Sequence, residues 1–429
     1  MPVHRTRLAL VLPLALASAH GEDLLLTGGR LIDGTGRAPV ENVDVLVRGK
    51  RIERIGSAGS LTAPAAARRI DVRGKTLLPG FVDLHFHIAD DISLVPLFLA
   101  RGVTSARDPG AWMELFGPVR SWQRAHAAPI PGPRLFLCGP HLDGPGPAYP
   151  KDSVVILSPE EARLWVRGQV AQGATAIKVY YRLPLESIRA AAAEAHRLRV
   201  PVTAHLEIIN VMDAVEAGVD GIEHITSLGL ALIPPMEAEK YRQAVLADNR
   251  ARNMGRYRMW AGIDPRSERA SALARFLAAR RVFVDPNLAV FERRPGDKGE
   301  DPEVAARGWE NMKAYTGVLH RAGVPIVVGS HSSVPHAPRG LAYHRELELL
   351  VDAGMKPMEA LVAATRTGAR FLAREHDLGT VEEGKLADIL VVDGDPLADI
   401  RHARNVTTLV VDGQLLDPKK IPPLVKPGN

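Results

Sequence analysis

The chain has almost no cysteine: Cys138 is the only one among its 429 residues. A single cysteine excludes an intrachain disulfide, so packing and any bound metal must provide the stability that cross-links give to many exported proteins. Aromatic residues are also scarce, at 5%, and the net charge of +5 is spread along the chain. Because no basic tract is interleaved with aromatic residues, the composition argues against a nucleic-acid-binding role.

The sequence also lacks an apolar run long enough to cross a bilayer. Its most apolar stretch, Leu8–Leu16, is well short of the roughly 20 residues that a membrane-spanning helix needs, and Pro13 interrupts it. Arg5 and Arg7 precede this stretch and small residues follow it, which is the organisation of a secretory signal peptide. We therefore expect residues 1–19 to be a signal peptide and the mature protein to be periplasmic or secreted, with no membrane association after its removal.

The middle of the chain has no glycine-rich phosphate-binding motif after any predicted strand, which argues against an open doubly wound sheet. Instead, eight apolar runs alternate with helical stretches. Repeated βα units of this number predict an α/β fold of the (β/α)₈ TIM-barrel type, whose site lies at the carboxyl ends of the strands. The eight runs are Gly80–His87, Val103–Pro109, Arg134–Gly139, Ala176–Tyr181, Pro201–Glu207, Gly221–Ile225, Val282–Leu288 and Pro325–Ser330.

The two ends of the chain are β-rich, with alternating apolar residues and glycine-containing turns. We expect residues 20–78 and 376–429 to pair into one small β-sandwich domain, with residues 79–375 forming the barrel between them. The charged helical segment 233–280 is predicted either to cover the site or to pack outside the barrel.

Side chains that can bind a metal recur where predicted strands end. His85 and His87 close the first run, His205 ends PVTAH, and His224 ends GIEH. Residues i and i+2 of a strand share a face, so the first two histidines can reach one ion. Lys178 lies within the apolar run AIKVYY, where an unpaired ammonium group would be costly to bury. Since these run ends should meet at one mouth of the barrel, the pattern predicts a common metal site.

These motifs resemble those of the amidohydrolase superfamily, and in particular its imidazolonepropionase-like and dipeptidase-like branch. The resemblance covers nearly everything from residue 24 to residue 416, and it rests on PGFVDLHFH, GVTSARDPG, AIKVYY, VTAHLE, GIEHI, PIVVGSHS and GTVEEGKLADILVVDGDP. It implies two divalent metal ions, with His85 and His87 on the more buried ion and His205 and His224 on the other. It also implies that Lys178 is carboxylated and bridges the two ions.

The resemblance further implies a reaction, the hydrolysis of a C–N bond by a metal-bridged hydroxide. The expected partner is a small amide or peptide substrate, such as a dipeptide or a cyclic amide. Zn²⁺ is the expected ion, although Mn²⁺, Fe²⁺ or Co²⁺ could occupy the same ligands. The oligomeric state is left open, a homo-oligomer included.

One position departs from the family pattern. The family has an aspartate at the end of the eighth strand, usually in a run like GTDS, and this chain has His331 there, within VGSHS. A histidine nitrogen that binds metal has no lone pair left for a proton, so His331 cannot copy both roles of the aspartate. His331 is therefore either a sixth metal ligand or a base. For the proton transfer three outcomes stay open: His331 is the general base, a nearby carboxylate (Asp108, Glu207 or Asp285) serves instead, or the chain is a catalytically impaired homologue that acts as a metal-binding module.

Two further side chains are candidate substrate-binding groups. If the strand alternation holds after Lys178, Tyr181 points outward and Tyr180 faces the pocket, where it could bind a substrate carboxylate or oxyanion. His141, in GPHLDG, follows the third predicted strand and could reach the substrate from a loop.

Overall fold

A computed structural model of the protein describes residues 23–125 and 132–424. The expected signal peptide, residues 1–19, lies outside the described residues. Within those two ranges, no helix combines the length and the apolar character that crossing a membrane requires.

The strands form three hydrogen-bonded sheets, of eight, six and three strands. In chain order the strands are β1 (Leu24–Leu31), β2 (Val40–Arg48), β3 (Arg51–Ser57), β4 (Arg68–Asp71), β5 (Lys75–Pro79), β6 (Phe81–Asp83), β7 (Val103–Asp108), β8 (Arg134–Leu137), β9 (His141–Asp143), β10 (Ser153–Val155), β11 (Ile177–Val179), β12 (Val202–His205), β13 (Gly221–Glu223), β14 (Phe283–Asp285), β15 (Ile389–Asp393), β16 (Val406–Val411) and β17 (Gln414–Leu416).

Most of the helices lie between strands of the parallel sheets. In chain order they are α1 (Leu94–Ala100), α2 (Gly117–Ala125), α3 (Pro159–Ala171), α4 (Leu185–Arg197), α5 (Val211–Glu216), α6 (Gly229–Leu232), α7 (Pro235–Ala247), α8 (Arg252–Gly262), α9 (Glu268–Ala279), α10 (Leu288–Phe291), α11 (Pro302–Arg321), α12 (Ala342–Asp352), α13 (Pro357–Val362) and α14 (Gly368–Phe371).

Local sequence explains where the α3 helix begins. The Ser158 hydroxyl accepts a hydrogen bond from the backbone N–H of Glu161, and Pro159 occupies the first turn, where its missing N–H has no cost. The Glu161 carboxylate in turn accepts from the N–H of Leu157 at 2.7 Å. These contacts satisfy backbone donors that the helix leaves free.

Both ends of the chain contribute to the eight-stranded sheet, whose order is β17-β16-β15-β5-β1-β2-β3, with β4 paired to β1. β15 runs antiparallel to β5. Arg51 of β3 bridges Leu386, just before β15, so the sheet folds back on itself around its own apolar core. The sequence predicted that both ends pair into one small β domain, and the structure confirms this; hydrogen bonding joins its eight strands into one sheet.

The two parallel sheets are linked into a ring by backbone hydrogen bonds. Thr175, just before β11, donates to Leu137 of β8 at 2.8 Å. On the other side, Val327 donates to Val284 of β14 at 3.0 Å, and Leu84 donates to Val328 at 2.9 Å. This mixed α/β architecture with parallel strands is consistent with the predicted barrel. Its eighth segment, residues 325–328, contributes these backbone bonds without being a regular strand.

The parallel strands are shorter than the apolar runs that predicted them. β6 ends at Asp83, so His85 and His87 follow the strand and do not belong to it. The argument that alternation along a strand aligns the two histidines was therefore wrong in its premise. His224 likewise follows β13, with a φ of 66°, in the left-handed region that non-glycine residues seldom adopt.

Candidate active site

A cavity of about 690 Å³ opens at the carboxyl ends of the parallel strands. Its wall contains all eight side chains that the sequence selected as site residues, which come from six separate segments of the chain. They are His85, His87, His141, Lys178, Tyr180, His205, His224 and His331.

The first candidate metal-binding group consists of His85, His87 and His331. One ring nitrogen from each lies within 4.8 Å of the others. The Nε2 atoms of His85 and His87 are 3.2 Å apart. The His331 ring stacks on that of His85, with centroids 4.9 Å apart. The residues at the carboxyl ends of the first and eighth barrel segments thus bring three imidazole rings close together.

A second group shares His85 and adds Glu223 and His224, again with donor atoms within 4.8 Å of one another. Nδ1 of His85 lies 3.1 Å from Oε2 of Glu223, on the side of the ring away from Nε2. The ring of His205 is 4.5 Å from that of His224. The two candidate metal-binding groups therefore share His85, and His205 lies beside the second of them.

The histidines have the properties of metal ligands. The Nδ1 atoms of His205 and His224 are buried and have no hydrogen-bond partner among the described residues, an arrangement that normally costs free energy. Burial lowers the pKa of His205 to about 3 and that of His331 to about 4, so both rings are neutral near pH 7. Neutral imidazoles with unused nitrogens fit a divalent cation such as Zn²⁺.

Lys178 lies at the bottom of the cavity, with 1% of its surface exposed. Its Nζ contacts Oε2 of Glu223, while Nη2 of Arg107 donates to Oε1 of the same carboxylate at 2.8 Å. Burial, together with the positive charge of Arg107, lowers the pKa of Lys178 well below its usual value. Sequence reasoning missed Arg107 and Glu223, although both are charged residues inside apolar strand motifs, which was the available signal.

Two of the three carboxylates considered as substitutes for the missing aspartate are buried outside the cavity wall. Asp108 is occupied by backbone donors, accepting from the N–H groups of Ile88 at 2.8 Å and Gly110 at 3.0 Å. Asp285 is 3% exposed and approaches His85 from behind, with Oδ2 3.7 Å from Nδ1. Among the described residues, neither contributes to the cavity wall.

The third carboxylate, Glu207, supports His205. Its Oε1 lies 3.1 Å from Nε2 of His205 and accepts from Arg256 at 2.7 Å, while Oε2 accepts from the hydroxyl of Tyr241 at 2.6 Å. Since Nε2 is occupied by Glu207, Nδ1 is the nitrogen of His205 left for a ligand. Carboxylates that orient a ligating histidine in this way are common around metal sites.

The backbone at His331 is strained. His331 and Ser332 have φ values of 55° and 64°, and the N–H of His331 donates to the carbonyl of His85 at 2.7 Å. Asp83, below the site, accepts from the N–H groups of His85 at 3.1 Å and Ser330 at 3.0 Å. The first and eighth segments are thus tied together, and strain of this kind is concentrated at functional sites.

Aromatic side chains form one wall of the cavity. The Tyr180 ring is 4.6 Å from that of His205 and 4.7 Å from that of His141. Tyr181 does not contribute to the wall among the described residues; its hydroxyl donates to Asn249 at 2.8 Å. Tyr180 and His141 therefore occupy positions from which they could contact a bound molecule.

The segment 233–280 covers the cavity with helix α8, whose Arg252 and Arg256 line it. This agrees with one of the two placements that the sequence left open. Sequence reasoning did not single out either arginine. They lie in a helix rich in charged residues, and nothing in the local pattern separates them from the exposed Arg258.

A parallel α/β fold whose strand ends converge on a histidine-rich pocket is the architecture of a metal-site hydrolase. The sequence model described as "Amidohydrolase family" matches residues 76–416. The chain therefore belongs to the amidohydrolase family.

Curated relatives of high sequence identity match only short stretches of this chain. An N-acyl-D-glutamate deacylase from Alcaligenes xylosoxydans xylosoxydans is 45% identical over 73 residues, which are 17% of this chain and 14% of that protein. This chain thus aligns with only about one seventh of that relative's length.

Solved structures match over most of the chain. A putative prolidase from Bifidobacterium longum is 25% identical with a TM-score of 0.69, covering 92% of this chain and 95% of that one. A Xaa-Pro dipeptidase with methionine bound in its active site is 21% identical with a TM-score of 0.70, covering 92% of this chain and all of the other. At 21% identity, the second likeness concerns the fold alone.

Proposed function

We propose that this protein is a metal-dependent hydrolase that cleaves a C–N bond in a small amide or peptide, such as a dipeptide or a cyclic amide. The observation that carries the proposal is the convergence of six histidines and one buried lysine on a single cavity at the strand ends. The likeness to a putative prolidase supports the idea of a peptide substrate.

Two divalent ions, with Zn²⁺ the first expectation, would be held by His85, His87, His205 and His224, and a carboxylated Lys178 would complete the ligand set. When bound, such ions would supply Lewis acidity, which lowers the pKa of water and polarises the scissile carbonyl. The unpartnered Nδ1 atoms of His205 and His224 support this assignment.

The chain's own residues have separate tasks. His331 is assigned the proton-transfer role, because it lines the cavity whereas Asp108, Glu207 and Asp285 do not. A neutral imidazole has one nitrogen that can accept a proton, and its ring stacks against that of His85 beside the reacting centre. Tyr180 and His141 are assigned to hold the substrate against the opposite wall.

A second candidate function is a catalytically impaired homologue that binds metal and ligand without turnover. It is favoured by one observation: the family's aspartate is replaced, and none of the three carboxylates considered as its substitute lines the cavity. For the location, we propose a periplasmic or secreted protein, on the basis of the organisation of residues 1–19.

Metal analysis and a substrate panel test both candidates. A hydrolase should purify with about two equivalents of metal, hydrolyse some of the dipeptides, N-acyl amino acids and cyclic amides in the panel, and lose that activity on chelation. His331→Ala should lower turnover by about 10²- to 10⁴-fold if the side chain transfers a proton. His376→Ala is the matched control, because His376 is exposed on the surface.

These measurements distinguish the hydrolase from the binding module. A protein that carries its metal but turns over nothing in the panel is the binding module. A gain of activity in His331→Asp, which restores the residue type found in the family, would argue that the native chain is catalytically impaired. Full activity of His331→Ala would contradict the proton-transfer role.

A further inference from the structure

Building on the proposed function, we propose that Arg252 forms a carboxylate-binding subsite, so that the enzyme selects amides and peptides that carry a free carboxylate. Arg252 begins helix α8 and lines the cavity. It is only 8% exposed. The inference rests on what surrounds this guanidinium group.

The guanidinium is incompletely satisfied. Nη2 donates to the hydroxyl of Tyr149 at 3.0 Å, but Nε and Nη1 are buried and have no hydrogen-bond partner among the described residues. Removing a cation from water is costly unless an anion and hydrogen-bond acceptors replace the hydration. The unpartnered donors therefore indicate that a ligand completes the site.

Aromatic rings offset part of this cost. The guanidinium carbon lies 5.1 Å from the Tyr149 ring centroid and 5.5 Å from that of Tyr181. Such contacts attract a cation to the ring faces, but they do not satisfy in-plane N–H groups. The surroundings thus hold the guanidinium in place while leaving its donors available.

Arg256, one turn further along the same helix, differs from Arg252 because it has a carboxylate partner. Its Nη2 is 2.7 Å from Oε1 of Glu207, so its charge is offset within the protein. Arg252 has no carboxylate partner of this kind among the described residues. A guanidinium with free donors is well suited to bind a carboxylate, to which it gives charge-assisted hydrogen bonds.

The subsite lies close enough to the candidate metal ligands to be part of the same binding event. The ring of Tyr149, which contacts Arg252, is 5.8 Å from that of Tyr180, and Tyr180 is 4.6 Å from His205. Two aromatic side chains lie between Arg252 and His205 on this path, and a single one, Tyr181, lies between them on another, because its ring is 5.5 Å from the guanidinium carbon and 6.0 Å from the His205 ring. In a dipeptide or an N-acyl amino acid, one α-carbon separates the scissile amide from the carboxylate, so both groups can lie in the single cavity that Arg252 and the histidines line. A cyclic amide without a carboxylate would leave Arg252 unpaired.

The test compares matched substrates on the metal-loaded, full-length protein. Each N-acetyl-L-amino acid and dipeptide in a panel is paired with its own C-terminal carboxamide. We expect kcat/KM for the acids to exceed that for the carboxamides by about 100-fold, because a site with buried polar groups rejects a ligand that leaves them unpaired. Arg252→Gln should lower kcat/KM for the acids by a similar factor, mainly through KM, and change that for the carboxamides less than about 3-fold.

Arg258→Gln is the matched control, since Arg258 is exposed on the same helix and pairs with Glu300. It should retain the full preference for acids. Arg252→Lys keeps the charge but loses the shape of the guanidinium, and an intermediate preference is expected. If Arg252→Gln does not fold, as judged by circular dichroism, Arg252→Lys carries the comparison alone.

Several results would overturn the subsite. They are equal hydrolysis of acids and carboxamides by the native protein, an equal loss for both in Arg252→Gln, or an unchanged preference in Arg252→Lys when it carries the comparison alone. If the metal-loaded protein hydrolyses nothing, the proposed function fails, and the subsite is then tested by ligand binding alone. In the native protein, N-acetyl-L-amino acids should raise the melting temperature more than their carboxamides do. In Arg252→Gln, the acids and the carboxamides should raise it equally. The absence of that difference would reject the subsite as well.

Discussion

Replacing Gly329 by alanine is the sharpest test of how the candidate site is built. Gly329 lies in the eighth segment, where the chain passes directly behind His85. A Cβ atom at this position would lie 2.7 Å from Nδ2 of Asn287, and closer still to Oδ2 of Asp285 and Cβ of His85. Real Cβ atoms essentially never approach other atoms within 3.0 Å, so at least one of these neighbours must move.

The size of the effect follows from how far these contacts fall short of an ordinary van der Waals distance. To restore ordinary contacts of 3.4 Å or more, His85 and Asp285 must each shift by about 1 Å, or the backbone at Gly329 must move by as much. Overpacking of this kind costs about 1–3 kcal/mol of folding free energy. A misplacement of about 1 Å at a reacting centre can cost about 100-fold in rate, so we expect a loss of that order in kcat/KM.

The assay combines equilibrium denaturation, metal analysis and kinetics. Gly168→Ala is the control, because Gly168 lies inside helix α3 and a Cβ there meets nothing within 4 Å. The same substitution should therefore stabilise the protein by about 0.5–1 kcal/mol at that position. If Gly329→Ala keeps the native stability, metal content and activity, the packing described behind His85 is wrong.

Two other substitutions test supporting contacts. Glu207→Gln keeps the size of the side chain but removes the charge beside His205, and it should lower metal affinity or activity by about 10- to 100-fold; Glu239→Gln, on the exposed surface of α7, should change neither. Arg134→Met leaves Asp388, 6% exposed, without its cation and should lower the free energy of unfolding by about 3 kcal/mol. The equivalent change at the exposed Arg163 should cost under about 0.5 kcal/mol, and equal losses at the two sites would contradict the buried ion pair between β8 and the terminal sheet.

The positions of the candidate ligands could be predicted because they follow a short-range rule. In parallel α/β folds, polar residues just after apolar strands gather at one edge, and each of His205, His224 and Lys178 could be placed from its own motif. The rule tolerates errors in strand length. β6 stops two residues before His85, yet His85 and His87 still reach the cavity, because the backbone beyond the strand continues toward the same mouth.

Arg252 could not be found in this way, because its role depends on tertiary contacts. It lies in a helix inserted between β13 and β14, and its neighbours Tyr149 and Tyr181 come from distant parts of the chain. Helical periodicity predicts which residues share a face, but it does not predict which face will close over a cavity. The association of the two β-rich ends was predicted, but the strand order was not: strand alternation identifies strands, whereas the pairing of β5 with β15, across more than 300 residues, is a property of the whole fold.

The exchange of the family's aspartate for His331 and the unpaired charge of Arg252 have the same electrostatic consequence. An aspartate at the end of the eighth segment would add a negative charge to the cavity, and a neutral imidazole does not. Each of the two buried carboxylates that lie 3.1 Å from a candidate ligand already has a cationic partner: Glu223 contacts Arg107 and Lys178, and Glu207 contacts Arg256. A substrate carboxylate bound at Arg252 therefore meets less repulsion from the interior than it would in a pocket that kept the aspartate. If that reasoning holds, His331→Asp should weaken the binding of N-acetyl-L-amino acids more than that of their carboxamides, whatever it does to turnover.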